Sequence, residues 1–291
     1  MAKPFKVDFI GIGPAKAGST WLGHMLDAHP AICMSEPKEV HFFNDSLSFN
    51  RSYDKVHYPL GIHWYAQHFK HCEPGKLKGE VTPRYIIDPV VPGRLYQYNP
   101  DLKLIVSLRD PCERIISHYH SARDYHKSET RSISQAIREE PEYIEACMYY
   151  KNISRFLPFF PLDCFFFLDM KRVKIEPVTA VAELYSFLGV DPSFVPNRIL
   201  EKSNPARTTR SVGFRKFSGA IHRTLVAWGF SPLIRILKSW GLGQWLNKLN
   251  SAPVEKVTLN PSDRTYIHQK IAEDVSSLGK LLNQDFSDWL K

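Results

Sequence analysis

Val7-Asp8-Phe9-Ile10-Gly11-Ile12-Gly13-Pro14-Ala15-Lys16-Ala17-Gly18-Ser19-Thr20-Trp21-Leu22-Gly23-His24-Met25-Leu26-Asp27-Ala28 is the stretch from which the fold of this chain is read. Val7 to Ile12 is a short, largely apolar run, a polar glycine-containing turn follows, and Trp21 to Ala28 returns at helical spacing. That order predicts strand, loop, helix, the opening of an α/β nucleotide-binding fold. A second buried strand is predicted from Leu102 to Leu108, apolar apart from Lys103 and Ser107. It ends at Arg109-Asp110-Pro111, ahead of a helix carrying Arg114 to Ala122. Cys164 to Leu168 reads as a third strand, and Val178 to Leu188 as an amphipathic helix stopped by a left-handed cap at Gly189. Together these pieces predict a phosphate-loop-containing parallel β-sheet flanked by helices.

The chain has 291 residues, 43% of them apolar, enough for one large domain over 1–291. Its formal charge of +8 suits an anionic small ligand, a nucleic acid or an acidic membrane surface, and charge does not choose among them. Cys33, Cys72, Cys112, Cys147 and Cys164 are scattered with no C-x-x-C pair, which argues against a disulfide framework and against a thiolate metal site. A reducing, cytoplasmic location follows as the expectation, and Met1 to Phe9 lacks the long apolar run of a signal peptide. Residues 44–75 and 119–145 mix His, Tyr and charged residues without clear periodicity and are assigned to loops and short helices on an acceptor side. A helical lid or surface segment is expected over about 213–250. Within it 225–249 is amphipathic and rich in tryptophan, suited to peripheral membrane contact, to a lid or to packing on the core.

Gly13-Pro14-Ala15-Lys16-Ala17-Gly18-Ser19-Thr20 nearly matches G-x-x-x-x-G-K-[ST], whose backbone N–H groups surround phosphate oxygens. A nucleoside-triphosphate loop would place its lysine where Ser19 stands, whereas here the lysine is three residues earlier, at Lys16. Its ammonium then approaches an anion from the loop, while Ser19, Thr20 and the helix N–H groups hold the rest. Pro14 to Leu22 resembles the 5′-phosphosulfate-binding loop of sulfotransferases that use 3′-phosphoadenosine-5′-phosphosulfate (PAPS). The resemblance implies PAPS contacts from Lys16, Ala17, Gly18, Ser19, Thr20 and Trp21. It also implies that Lys16 stabilises charge on the departing phosphate and that no metal is required.

In Arg109-Asp110-Pro111-Cys112-Glu113-Arg114-Ile115-Ile116-Ser117 a guanidinium leaves a strand end and a hydroxyl lies eight residues on, in the helix, so that both can reach one phosphate. The string resembles the family's 3′-phosphate element, with Arg109 and Ser117 in the binding positions and Arg114 read as ordinary helix surface. Arg207, with Arg210 in reserve, sits in a basic loop that in similar proteins folds over the nucleotide. The closing Leu281 to Leu290 looks like the tail of single-domain bacterial sulfotransferases.

Pro37-Lys38-Glu39-Val40-His41-Phe42-Phe43 resembles the K-E-x-H-F-F stretch of the glycosaminoglycan branch, in which the glutamate is the catalytic base. Glu39 is accordingly the candidate base, with His41 orienting the acceptor or standing in, and alternation along a strand would put both on one face. Gly79-Glu80-Val81-Thr82-Pro83-Arg84-Tyr85 resembles a further element of that branch, but Val81 stands where several of its enzymes carry a lysine. The likeness is therefore not extended to heparan-type substrates, and Arg84 or Tyr85 is expected to line an acceptor pocket or to serve the structure. The histidines form no metal pattern, and His118 and His120 beside Asp124 read as exposed helix surface or acceptor contacts.

The expected reaction is sulfuryl transfer from PAPS to an acceptor hydroxyl or amine of a carbohydrate, lipid or small alcohol, leaving 3′,5′-adenosine bisphosphate. The competing enzyme is a phosphate-loop kinase that transfers a phosphoryl group, against which Ser19 speaks. A nucleic-acid or membrane binder without catalysis has only the basic charge and the tryptophan-rich segment in its favour, and no nucleic-acid partner is expected.

Overall fold

The computed structural model describes residues 5–45, 56–200 and 256–291, and the backbone of two short paired strands at 208–209 and 251–252. β1 (Phe9–Gly13), β2 (Ile32–Met34), β3 (Leu77–Val81), β4 (Lys103–Leu108) and β5 (Phe165–Asp169) form a parallel sheet in the order β2-β3-β1-β4-β5. Every residue of β1 is buried, the mark of a parallel strand covered on both faces. Alternation divides the cover: Ile10, Ile12, Leu104, Val106 and Leu108 face one apolar cluster, whereas Phe9 and Ile105, one residue out of step, face the other.

The connecting helices are α1 (Ser19–Ala28), α2 (Gly61–Ala66), α3 (Val91–Tyr98), α4 (Pro111–His120), α5 (Ile133–Glu139), α6 (Glu142–Glu145), α7 (Tyr149–Ser154), α8 (Met170–Ile175), α9 (Pro177–Leu188) and α10 (Pro261–Leu282). α1 and α9 pack on the Phe9 face, while α3, α4, α5, α7 and α10 cover the Ile10 face. Local chemistry sets the ends. Asp110 accepts from Glu113 N at 2.7 Å to cap α4, with Pro111 in its first turn, and Gly189 closes α9 at φ 82° as its left-handed cap.

β1 is the middle strand, with β2 and β3 on one side and β4 and β5 on the other. The chain reverses direction of travel across the sheet between β1 and β4, so the crevice beyond their carboxyl ends is where such a sheet takes a ligand. The loop after β1 carries Lys16 and the turn after β4 carries Arg109, which brings two motifs far apart in sequence to one place.

One reading of the cysteines is corrected. Cys33 and Cys72 are joined in a disulfide with Cα atoms 5.7 Å apart, and Cys112, Cys147 and Cys164 are free. The pair was invisible in the spacing because only folding lays the turn after α2 against β2, where His71 Nε2 donates to Met34 O at 3.0 Å, and the inference from unpaired thiols to a reducing compartment does not stand. No helix among the described residues is long and apolar enough to cross a membrane. The expected lid at 213–250, with its tryptophan-rich 225–249, lies outside the described residues, as do Arg207 and Arg210.

Candidate active site at the carboxyl ends of β1 and β4

The loop between β1 and α1 turns on two glycines with positive φ. A Cβ on Gly13, at φ 121°, would lie 2.1 Å from Pro83 O, and one on Gly18, at φ 92°, 2.4 Å from Met170 Sδ. Gly18 caps α1 without a side-chain hydrogen bond, and the first turn carries no acidic residue. The leading N–H groups of α1 are thereby left open to an anion, with the positive end of the helix behind them. The start of α4 contrasts with it, because Asp110 already fills that position.

Lys16 adopts φ 69°, a left-handed conformation costing a non-glycine residue about 1 kcal/mol. Two guanidinium groups hold it there: Arg109 Nη1 donates to Lys16 O at 3.0 Å, and Arg114 Nη1 to Ala15 O at 3.3 Å. Lys16 Nζ donates to Ser121 Oγ at 2.7 Å. Ser121 opens a π-helical turn (Ser121–His126) that continues α4, and it stands four residues after the half-buried Ser117. Lys16 is thus tied to Arg109 through its carbonyl and to Ser121 through its ammonium, with Ser117 one helical turn before Ser121.

Arg109 is fixed from two sides. Its side chain pairs with Glu113 at 3.1 Å, which also takes Lys174 Nζ at 2.9 Å. Its backbone carbonyl accepts from Tyr149 OH at 2.6 Å, and its N–H donates back to that hydroxyl at 3.3 Å. Burial raises the Glu113 carboxyl, but Lys174 and then Arg109 outweigh burial and hold it below its usual range.

Arg114 requires a correction. It is fully buried rather than on the helix surface, and it donates to Cys147 Sγ at 2.9 Å and Tyr143 O at 2.6 Å as well as to Ala15 O. Its position was legible, since it shares the inward stripe of α4 with Pro111 and Ile115.

Glu39 and His41 also differ from expectation. They lie in an irregular segment and not on a strand, and His41 has φ 56°. Alternation does not bring them together; a kink does, with His41 Nε2 3.5 Å from Glu39 Oε2. Asp88 takes the Asn44 amide N–H at 3.1 Å, which turns the Asn44 oxygen onto His41 Nδ1 at 3.1 Å. Lys38 Nζ lies 2.9 Å from Glu39 Oε1 and 3.5 Å from Ser19 O, joining the carboxylate to the first residue of α1. Gly23 leaves the room this requires, since a Cβ there would lie 2.8 Å from Lys38 Cδ. Partial burial pushes the Glu39 carboxyl up, but the His41 hydrogen bond and the Lys38 charge prevail and bring it to about 2.

Other candidates are placed as follows. Tyr85 is fully buried, with its hydroxyl on Glu80 Oε1 at 3.0 Å, so it belongs to the core and not to a pocket wall. Arg84 is mostly buried and pairs with Glu142 at 3.1 Å. Trp21 packs in the apolar cluster under α1, with its indole N–H on Ile199 O at 3.2 Å, and Ala17 is buried. Ser19 and Thr20 are half-buried at the start of α1. His120 is 15% exposed and pairs with Asp124 at 2.8 Å, so this part of the helix is not free surface. Lys38, Glu80, Ser121 and Tyr149 carry the site's architecture without having been singled out, and only Ser121 had a local signal, its four-residue spacing from Ser117.

The family model of the sulfotransferase domain matches residues 6–212. Mouse heparan sulfate glucosamine 3-O-sulfotransferase 5 is 29% identical over 192 residues, which make up 62% of this chain and 53% of that protein. The membrane-associated sulfotransferase kil1 of Dictyostelium discoideum is 38% identical over 149 residues, 48% of this chain and 29% of its own length. The chain thus spans about half or less of these relatives. The crystal structure of a sulfotransferase from Alicyclobacillus acidocaldarius aligns with a TM-score of 0.71 and 22% identity, covering 99% of this chain and 100% of that one. The sulfotransferase domain of the curacin biosynthetic pathway gives 0.50 and 16%, covering 70% and 80%. At these identities the structural likeness is one of fold.

Proposed function

The chain belongs to the sulfotransferase domain family, and on that premise we propose that it transfers the sulfuryl group of PAPS to an acceptor hydroxyl or amine by in-line displacement. One observation carries this reading. The uncapped start of α1 lies between the Lys16–Arg109 pair and the Lys38–Glu39 pair, so an anion seated on the helix has cations beside it and a carboxylate beyond.

The acceptor oxygen or nitrogen attacks sulfur while its proton passes to Glu39, which is already ionised and needs no prior deprotonation. The bond from sulfur to the bridging oxygen of the 5′-phosphate breaks, and its electron pair stays on that phosphate. The α1 N–H groups and Lys16 meet the growing charge. Lys16 Nζ leaves Ser121 Oγ to do so, a change of hydrogen-bond partner within reach of one side chain. Arg109, with Ser117 on the next helix, recognises the 3′-phosphate that distinguishes PAPS from ATP. The reaction so written needs no metal ion. Carbohydrate, lipid and small-alcohol acceptors all fit it; the heparan sulfate relatives favour a glycan, while Val81, in place of a lysine, weighs against a strongly acidic one.

Calorimetric titration separates this from phosphoryl transfer: 3′,5′-adenosine bisphosphate should bind without metal and clearly more tightly than ATP with magnesium. Replacing Lys16 by Ala should lower turnover about 10²–10³-fold, the loss typical of removing one donor to developing oxyanion charge. Near-normal transfer by that variant would take Lys16 out of the mechanism.

A further inference from the structure

Behind Glu39 lies a second glutamate that never meets solvent. Glu80, on β3, is fully buried, and four donors converge on its two carboxylate oxygens. Tyr65 OH and Tyr85 OH reach Oε1 at 2.8 and 3.0 Å. Thr82 Oγ1 and Val40 N reach Oε2 at 2.6 and 3.1 Å. Val40 N is shared, since Thr82 Oγ1 also accepts from it at 3.1 Å. Burying a carboxylate is costly even with full hydrogen bonding, and an apolar residue on β3 would fill the same space at lower cost.

What the carboxylate does that an apolar residue cannot is hold a main-chain N–H of a segment with no ladder of its own. That N–H belongs to Val40, the residue between Glu39 and His41. The hold is reinforced on both sides. Val81 N donates to Lys38 O at 3.2 Å, and Phe43 N donates to Tyr85 OH at 3.3 Å, the same hydroxyl that serves Glu80. His57 Nδ1 donates to Val40 O at 3.3 Å from the acceptor side.

We propose that Glu80 and Thr82 are positioning residues for catalysis: by gripping Val40 N from within the core they fix the flanking Glu39 and His41 over the helix start. This rests on the assignment of Glu39 as base. The side-chain bonds of the grip end on Val40 N and not on the nucleotide loop, so their loss slows proton removal more than it weakens donor binding.

The test uses the full chain, labelled PAPS with water and D-glucosamine as probe acceptors, calorimetry with 3′,5′-adenosine bisphosphate, and amide hydrogen exchange at Val40. Thr82→Val should speed Val40 exchange and lower turnover, each by about tenfold, with bisphosphate affinity within about twofold; Thr82→Ser should restore both. Glu80→Gln, which offers an amide to hydroxyls that donate, should lower turnover about a hundredfold at similar bisphosphate affinity. Wild-type turnover and Val40 exchange in Thr82→Val, or a Thr82→Ser variant that fails to rescue, overturn the grip. Failure of the unaltered protein to bind the bisphosphate instead overturns the sulfotransfer reading on which the proposal rests.

Discussion

As the proposed base, Glu39 starts from a low value, because His41 and Lys38 both favour its ionised form. With its carboxyl at about 2 against an ordinary 4.5, the proton-accepting form is present throughout the neutral range and is lost only as pH falls through about 2. Any acid limb of activity near neutrality therefore belongs to another group, and His57, held below its usual range by burial, is the titratable neighbour that contacts Val40. In His41→Ala the carboxyl should move up toward 4.5, which carbon-13 titration of the Glu39 carboxyl will read; an unmoved value would show that Lys38 alone sets it. Arg114 offers a second residue-scale expectation. Lysine lacks the planar fork that serves Cys147, Tyr143 and Ala15 at once, so Arg114→Lys should cost about 2–3 kcal/mol in denaturant unfolding and about tenfold in bisphosphate affinity. The placement of Lys16 and Arg109 was legible because each follows the end of a strand. Glu80 was not, because its significance is a hydrogen bond to a residue 40 positions earlier.

At the scale of elements, the strand–loop–helix units were readable wherever burial imposes a period: β1, β4, β5 and α9 fall within a residue or two of the sequence reading. The Lys38–Phe43 segment defeated it for a physical reason. The N–H groups of Val40 and Phe43 go to side chains of β3 and the following turn and not to a neighbouring strand, so no alternation governs which way Glu39 and His41 point. The clip between β2 and the turn after α2 belongs here too. Cys33 and Cys72 are 39 residues apart, a closure worth roughly 3–4 kcal/mol in the chain-entropy account. The double change to serine should lower unfolding free energy by about that amount, and a reductant should do the same to the unaltered protein only. Because α2 carries Tyr65, loosening it should also speed exchange at Val40.

For the whole molecule, reversal of the chain between β1 and β4 brings the loop after β1, the proposed phosphate loop, against the Arg109 guanidinium. A bisphosphate occupying it at a hundred times its dissociation constant should stabilise the fold by about 2.7 kcal/mol. In a chain of this size that is a rise of roughly 4–5 °C in melting temperature. ATP at the same concentration should give a smaller rise, and Arg109→Ala should erase the difference; equal shifts would mean that the ribose phosphate is not read. The carbonyls of Ala15 and Lys16 point at Arg114 and Arg109, and in a trans peptide the N–H points the opposite way. Two guanidinium groups thus turn the next two amides, those of Lys16 and Ala17, away from themselves before any ligand arrives. The cradle is preorganised: its ordering entropy is spent during folding, and association should proceed in one kinetic step at a rate set by encounter.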